Sequence, residues 1–133
     1  GFRIGYGYGN FELIDLLNRV RPPFNVSSIG QTAALGALDD NEHIEKCKVL
    51  NQSGMKQLEE GLQSLGYEVV PSRANFLLVR FENSDKVYQY LQAKGVIVRT
   101  LKGYALEEHL RISVGTKQQN DRVLSVLAQY QQA

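Results

Sequence analysis

Three arginines stand where chemistry could be done. Arg111 lies between Leu110 and Ile112 in the strand-like run LRISVGT, so its side chain shares a face with Ser113 and opposes the apolar pair. Arg99 closes the strand-like run VIVR in the same way. Arg3 sits on the glycine face of the alternating run GFRIGYGYGN, just ahead of a capped helix start where an anion could be bound bidentately. A guanidinium presents a planar fork that matches a carboxylate or a phosphate. The same side chains at strand ends also serve as solvated, snorkelling surface charge. Two arginines closing two strands, with Gly103 and Tyr104 between them, read as an anion site.

Other signatures are absent from the sequence. There is no Walker loop, and GYGYGN lacks the third glycine spacing of a dinucleotide fingerprint. No G-x-S-x-G elbow occurs. His43 and His109 have no metal-ligand spacing and read as surface or loop residues, so no metal is expected. Cys47, the one cysteine, can form neither an internal disulfide nor a cysteine cluster, and reads as a small core or boundary hydrophobe.

The elements that must position these residues follow from periodicity. Phe2, Ile4, Tyr6 and Tyr8 alternate with Arg3, Gly5 and Gly7, the period of a strand. Asn10 caps a helix with the stripe Leu13, Leu16, Leu17 and Val20, ended by Arg21-Pro22-Pro23. Residues 29–38, rich in alanine and glycine, predict a closely packed, buried helix. Asn41 is placed to cap a long amphipathic helix over 42–65, stopped by Gly66. Strands are then expected at 67–70 and 75–81, a helix capped by Ser84 over 84–94, and a strand at 96–101. A loop at 102–108, a strand at 110–114 and a helix capped by Thr116 over 117–132 complete the chain. The order is one strand and two helices, a linking helix, then β-β-α-β-β-α. The expected class is α/β: residues 1–40 form the tail of a larger α/β unit, and 41–133 a small α+β domain with helices on one face of a short sheet.

The composition fits that scheme. The chain has 133 residues, 43% hydrophobic and 22% charged, with 15 Lys+Arg against 14 Asp+Glu. That is enough for a real core and too little for a packed two-domain enzyme. A net charge of +1 gives no electrostatic reason for a polyanion partner. No apolar run approaches the roughly 18–20 residues of a membrane span, and no signal peptide opens the sequence. With a single cysteine, the expected location is a reducing compartment, the cytoplasm. The opening in mid-strand, without an initiator Met, leads to the expectation that the chain is a fragment or a processed product.

In order along the chain, GFRIGYG, LLNRVRPPFNVSSIGQTAALGAL, SRANFLLVRF, GVIVRTL and HLRISVGT resemble the C-terminal part of histidinol-phosphate aminotransferases. These belong to the fold-type I, pyridoxal-phosphate-dependent aminotransferases, and the resemblance covers essentially the whole chain. It implies the end of a large cofactor-binding domain followed by a small C-terminal domain. The implied reaction converts histidinol phosphate and 2-oxoglutarate to imidazole acetol phosphate and glutamate, a step of histidine biosynthesis. Arg3 matches the arginine that binds the phosphate of pyridoxal 5'-phosphate. Arg111 matches the arginine that holds the carboxylate of the amino or keto acid, or the phosphate of histidinol phosphate. Arg99 matches a second substrate-anion arginine, and Asn25 a position near the active-site mouth and dimer interface. The implied partners are a small-molecule amino donor, a 2-oxo acid and a second copy in a homodimer. The family's catalytic lysine has no counterpart here, so no catalytic residue is assigned and the chain alone is expected to be inactive.

Other readings lie beside this one. The resemblance extends to other class I and II aminotransferases and to threonine-phosphate decarboxylase. A stand-alone α+β binding module is a different class: NFLLVRF is similar to an RNA-recognition strand, but places Phe76 and Phe81 on opposite faces. A purely structural domain that closes over another and dimerises is the third.

Overall fold

A computed structural model describes residues 2–132, which divide into one unit running through Glu45 and another from Lys46.

In the first unit, α1 (Phe11–Val20) starts where the Asn10 side-chain oxygen accepts a hydrogen bond from the Glu12 amide at 2.8 Å. It ends at Arg21, whose extended backbone (φ −67°, ψ 143°) is what a following proline imposes. α2 (Ser28–Asp39) is capped by Ser27, whose Oγ accepts from the Gly30 amide at 3.1 Å. Gly30 is the one buried residue of α2, and a Cβ there would run into the Ile4 side chain.

Two expectations fail here. Residues 2–10 form no strand. Arg3 takes φ +56°, outside the extended region, and no described segment pairs with this one. Alternation makes a strand only when a neighbour completes its hydrogen bonds. Nor is α2 buried: Ile29 and Leu35 are exposed, as are Leu13, Leu16, Leu17 and Val20 on α1. The small residues supply a face suited to close packing, but within this unit it is closed only at Gly30, against Ile4.

α3 (Asn41–Ser64) contains the division between the units. Its first turn is capped one residue earlier than expected, by Asp40, whose Oδ1 accepts from the His43 amide at 2.9 Å. Cys47 is exposed on this helix, not a core or boundary residue. Gly66 stops the helix at φ +81°, a conformation that glycine adopts without steric cost, and the Tyr67 amide returns to the Leu62 carbonyl at 3.0 Å.

The second unit is a four-stranded antiparallel sheet with order β1-β2-β4-β3, and helices against one face. The strands are β1 (Glu68–Val70), β2 (Phe76–Arg80), β3 (Arg99–Thr100) and β4 (His109–Ser113). α4 (Ser84–Ala93) and α5 (Lys117–Gln131) complete it. Inward-facing Leu77, Val79, Leu110 and Ile112 share one core with Leu58 and Leu62 of α3, Val87 and Leu91 of α4, and Val126 and Leu127 of α5. This is the α+β arrangement the sequence predicts. The cap of α4 is Asn83, whose Oδ1 accepts from the Lys86 amide at 3.1 Å. Ser84 instead donates its hydroxyl to the Glu107 carbonyl. Thr116 and Gln119 form a reciprocal capping box at the start of α5. β3 keeps only two of six expected residues, because the Val96 amide bonds to the Leu91 carbonyl at the end of α4 and not to the sheet.

The Tyr67 ring packs on Phe81, 4.7 Å between centroids, and burial raises its phenol above the ordinary tyrosine value of 10.0. Ionisation then favours the unfolded chain, whose tyrosine titrates first. Stability is therefore undiminished by this group below about pH 10 and falls as pH rises from there towards the folded-state value. Tyr67→Phe removes that part of the alkaline sensitivity. Its urea midpoint relative to the unsubstituted chain rises between pH 8 and pH 11, and an unchanged difference would contradict the assignment.

Candidate anion-binding site

The face of the sheet turned away from the helices is built by strand alternation. Because Leu77, Val79, Leu110 and Ile112 point inward, Phe76, Leu78 and Arg80 on β2 and His109, Arg111 and Ser113 on β4 point outward. The register sets Arg99 of β3 directly opposite Arg111 of β4, and Leu78 of β2 on its other side. Two of the predicted residues are thus cross-strand neighbours. His109, expected on the surface or in a loop, is a half-buried residue of β4.

Like charges directly opposed across a ladder destabilise it. Among the described residues no carboxylate lies within ion-pair distance of Arg99 or Arg111. Arg80, on the same face, shows the alternative. Its Nε donates to Glu108 at 2.8 Å, and its NH1 meets Glu68 at 3.4 Å. Glu108 first and Glu68 second hold the Arg80 guanidinium more firmly protonated than a free arginine. Arg80 is a compensated surface charge, whereas Arg99 and Arg111 make an uncompensated pair that an anion would relieve.

The connection between the two arginine strands is tied at several points. Lys102 pairs with Asp85 at 2.7 Å, Ser84 holds the Glu107 carbonyl, and the Phe81 amide bonds to the Glu108 carbonyl at 2.8 Å. These bonds hold both strand ends against the start of α4. Ser84 and the Arg80–Glu108 pair carry no sequence signal, since their partners lie more than twenty residues away.

The contact of Phe76 with Arg111 also has no signal in the sequence. The Phe76 ring centroid lies 5.0 Å from Cζ of Arg111, in cation–π contact. The register that makes it a diagonal neighbour of Arg111 (Phe76 opposite Ser113) depends on which strands pair, and spacing along the chain does not give that. Phe81 is 2% exposed in the core, so this strand offers no pair of open rings on which bases could stack.

The other two predicted residues lie in the first unit. Arg3 is exposed, with its backbone in the left-handed region at φ +56°. Such a conformation costs a non-glycine residue of order 1 kcal/mol, and Phe24 and Ala105 share it. Asn25 is exposed, its Oδ1 accepting from Arg21 NH1 at 3.0 Å. It follows Phe24, another left-handed residue at φ +53°, which is 99% exposed. Phe24 and Asn25, with Tyr6, Leu17 and Leu35, border an open cavity of about 1050 Å³ that Arg3 does not line. Among the described residues no group of acidic, histidine or cysteine side chains could hold a metal ion. No helix of the described residues is long and apolar enough to cross a membrane.

Residues 1–127 match the family model of aminotransferase class I and II. The chain is 48% identical over 128 residues to histidinol-phosphate aminotransferase 1 of Nitrosococcus oceani, covering 96% of this chain and 35% of that protein. Its fold is similar to that of the histidinol-phosphate aminotransferase from Clostridium acetobutylicum, with a TM-score of 0.82, 23% identity, and coverage of 92% of this chain and 39% of that one. It is also similar to the Sinorhizobium meliloti enzyme solved in complex with pyridoxal-5'-phosphate, with a TM-score of 0.65, 21% identity and coverage of 87% and 34%. The chain therefore spans about a third of the length of the relatives it matches.

Proposed function

The chain belongs to the class I and II aminotransferases, a family of enzymes, and we propose that it is the C-terminal part of a histidinol-phosphate aminotransferase. The uncompensated Arg99–Arg111 pair carries this reading, since amino-group transfer requires the substrate's anion to be held in a fixed place. Arg111, half-buried and backed by an aromatic ring, is the principal holder of the substrate carboxylate or phosphate. Arg99, more exposed, is the second.

Pyridoxal 5'-phosphate, when bound, supplies an electron sink for breaking a bond at the amino-bearing carbon. The residues here fit one end of that group: Arg3 offers an exposed guanidinium fork to a phosphate. Residues 1–40 would then be the tail of the large cofactor-binding domain, and 41–133 the small domain. Asn25, in the loop after Pro22-Pro23, would stand at the active-site mouth and the interface of a homodimer. The proposed location is the cytoplasm. No lysine occurs in residues 1–45, the part that would belong to the cofactor-binding domain, so the lysine that carries the cofactor is not supplied by this chain.

The test is amino transfer by the full-length protein of which this chain is the C-terminal part. With glutamate and pyridoxal 5'-phosphate it should form histidinol phosphate from imidazole acetol phosphate, while the 133-residue chain alone should show no turnover above background. Turnover by the isolated chain, or a full-length protein that decarboxylates threonine phosphate and transfers no amino group, would overturn the proposal.

A further inference from the structure

We propose that Phe76 is the positioning residue of Arg111, holding its guanidinium flat without using any of its hydrogen-bond donors. The inference rests on the reading that Arg111 binds the substrate anion. An arginine that must bind a ligand bidentately needs a fixed plane, because a freely rotating fork loses side-chain entropy when the ligand arrives. Arg80 shows one way to fix it: carboxylates occupy its N–H groups and cancel its charge. That device would consume the chemistry Arg111 is there to supply.

Arg111 is held differently. Among the described residues its guanidinium has no carboxylate partner, and its Nε is buried without a hydrogen-bond partner. What it has is the ring of Phe76, 5.0 Å from Cζ to the centroid. The negative face of the ring attracts the delocalised cation and restrains its plane. The terminal N–H groups, which lie in that plane, stay available to an anion. The backbone fixes the pair. Phe76 is opposite Ser113 and Leu78 is opposite Arg111, so the ring sits diagonally below the guanidinium on one face. The Val114 amide closes the same ladder on the Asn75 carbonyl at 2.9 Å, one residue before the ring.

The experiment titrates the 133-residue chain with inorganic phosphate at constant ionic strength, following the Nε–H resonance of Arg111 by NMR, assigned by its loss in Arg111→Gln. Affinity in the variant that lacks this resonance is read from backbone amides of β4. The unsubstituted chain should bind saturably. Phe76→Leu should bind about 3- to 10-fold more weakly with its helical circular dichroism unchanged, and Phe76→Tyr should restore binding. Phe76→Leu binding as well as the unsubstituted chain would overturn the positioning role, while loss in Arg111→Gln would leave the anion reading standing. Phe76→Tyr as weak as Phe76→Leu would reduce Phe76 to filling space and also overturn it. Arg111→Gln indistinguishable from the unsubstituted chain would overturn both. If Phe76→Leu does not fold, stepwise fluorinated phenylalanine at position 76 replaces it. Affinity falling as fluorine drains the ring face supports the role, and constant affinity refutes it.

Discussion

Replacing Arg111 by glutamine in the full-length enzyme should lower kcat/KM for the anionic substrate by about 30- to 5,000-fold, the range expected when one partner of a desolvated, hydrogen-bonded charge pair is removed. The effect is large because Arg111 is half-buried and backed by a ring, so water screens its charge less than that of an exposed arginine. Arg111→Lys should recover only part of the loss, since an ammonium keeps the charge but not the two parallel N–H donors. Arg99→Gln should cost less than Arg111→Gln, because Arg99 is exposed on a two-residue edge strand and more fully screened. Steady-state kinetics on the three variants gives the order. An Arg111→Gln enzyme within twofold of the parent, or a larger effect at Arg99, would remove Arg111 from the site.

The class of fold and the arginine-bearing face of its sheet were legible from local chemistry. The period-two runs of β2 and β4, the glycine stops at Gly66 and Gly95 and the cap at Thr116 are each encoded within a few residues, and each stands in the structure. Arg111 was placed on the outward face by its alternation with Leu110 and Ile112, and it is there. What local sequence could not supply was partners. The run from Phe2 to Tyr8 has a strand's alternation and no strand beside it, and its backbone is not extended at Arg3, which takes φ +56°. Phe76 touches Arg111 because β2 pairs with β4, and Ser84 reaches Glu107 because a loop folds back; both depend on distant chain. Cys47 and the Ile29 and Leu35 face failed for a related reason. A hydrophobic residue is buried only if something covers it, and periodicity marks the face without naming the cover.

That contrast leads to the second large effect, on stability. Every buried hydrophobic residue of the described chain lies at Met55 or beyond, and Gly30 is the only buried residue before α3. Helices of 10 and 12 residues, such as α1 and α2, are too short to persist on propensity alone; isolated helices need about 12–15 residues even in favourable sequences. Hydrogen exchange of the 133-residue chain should therefore separate into two regimes. Amides of α1 and α2 should exchange within about tenfold of unstructured rates, whereas central amides of β2, β4 and α5 should be protected by about a thousandfold or more. Leu110→Ala tests the division. Leu110 is fully buried between Val79 and Thr100 on neighbouring strands, so its truncation should cost the second unit about 2–5 kcal/mol, a large fraction of a small domain's stability. The exchange of α1 and α2 amides should not respond. Equal protection along the whole chain, or loss in α1 and α2 upon Leu110→Ala, would mean that the two units fold as one.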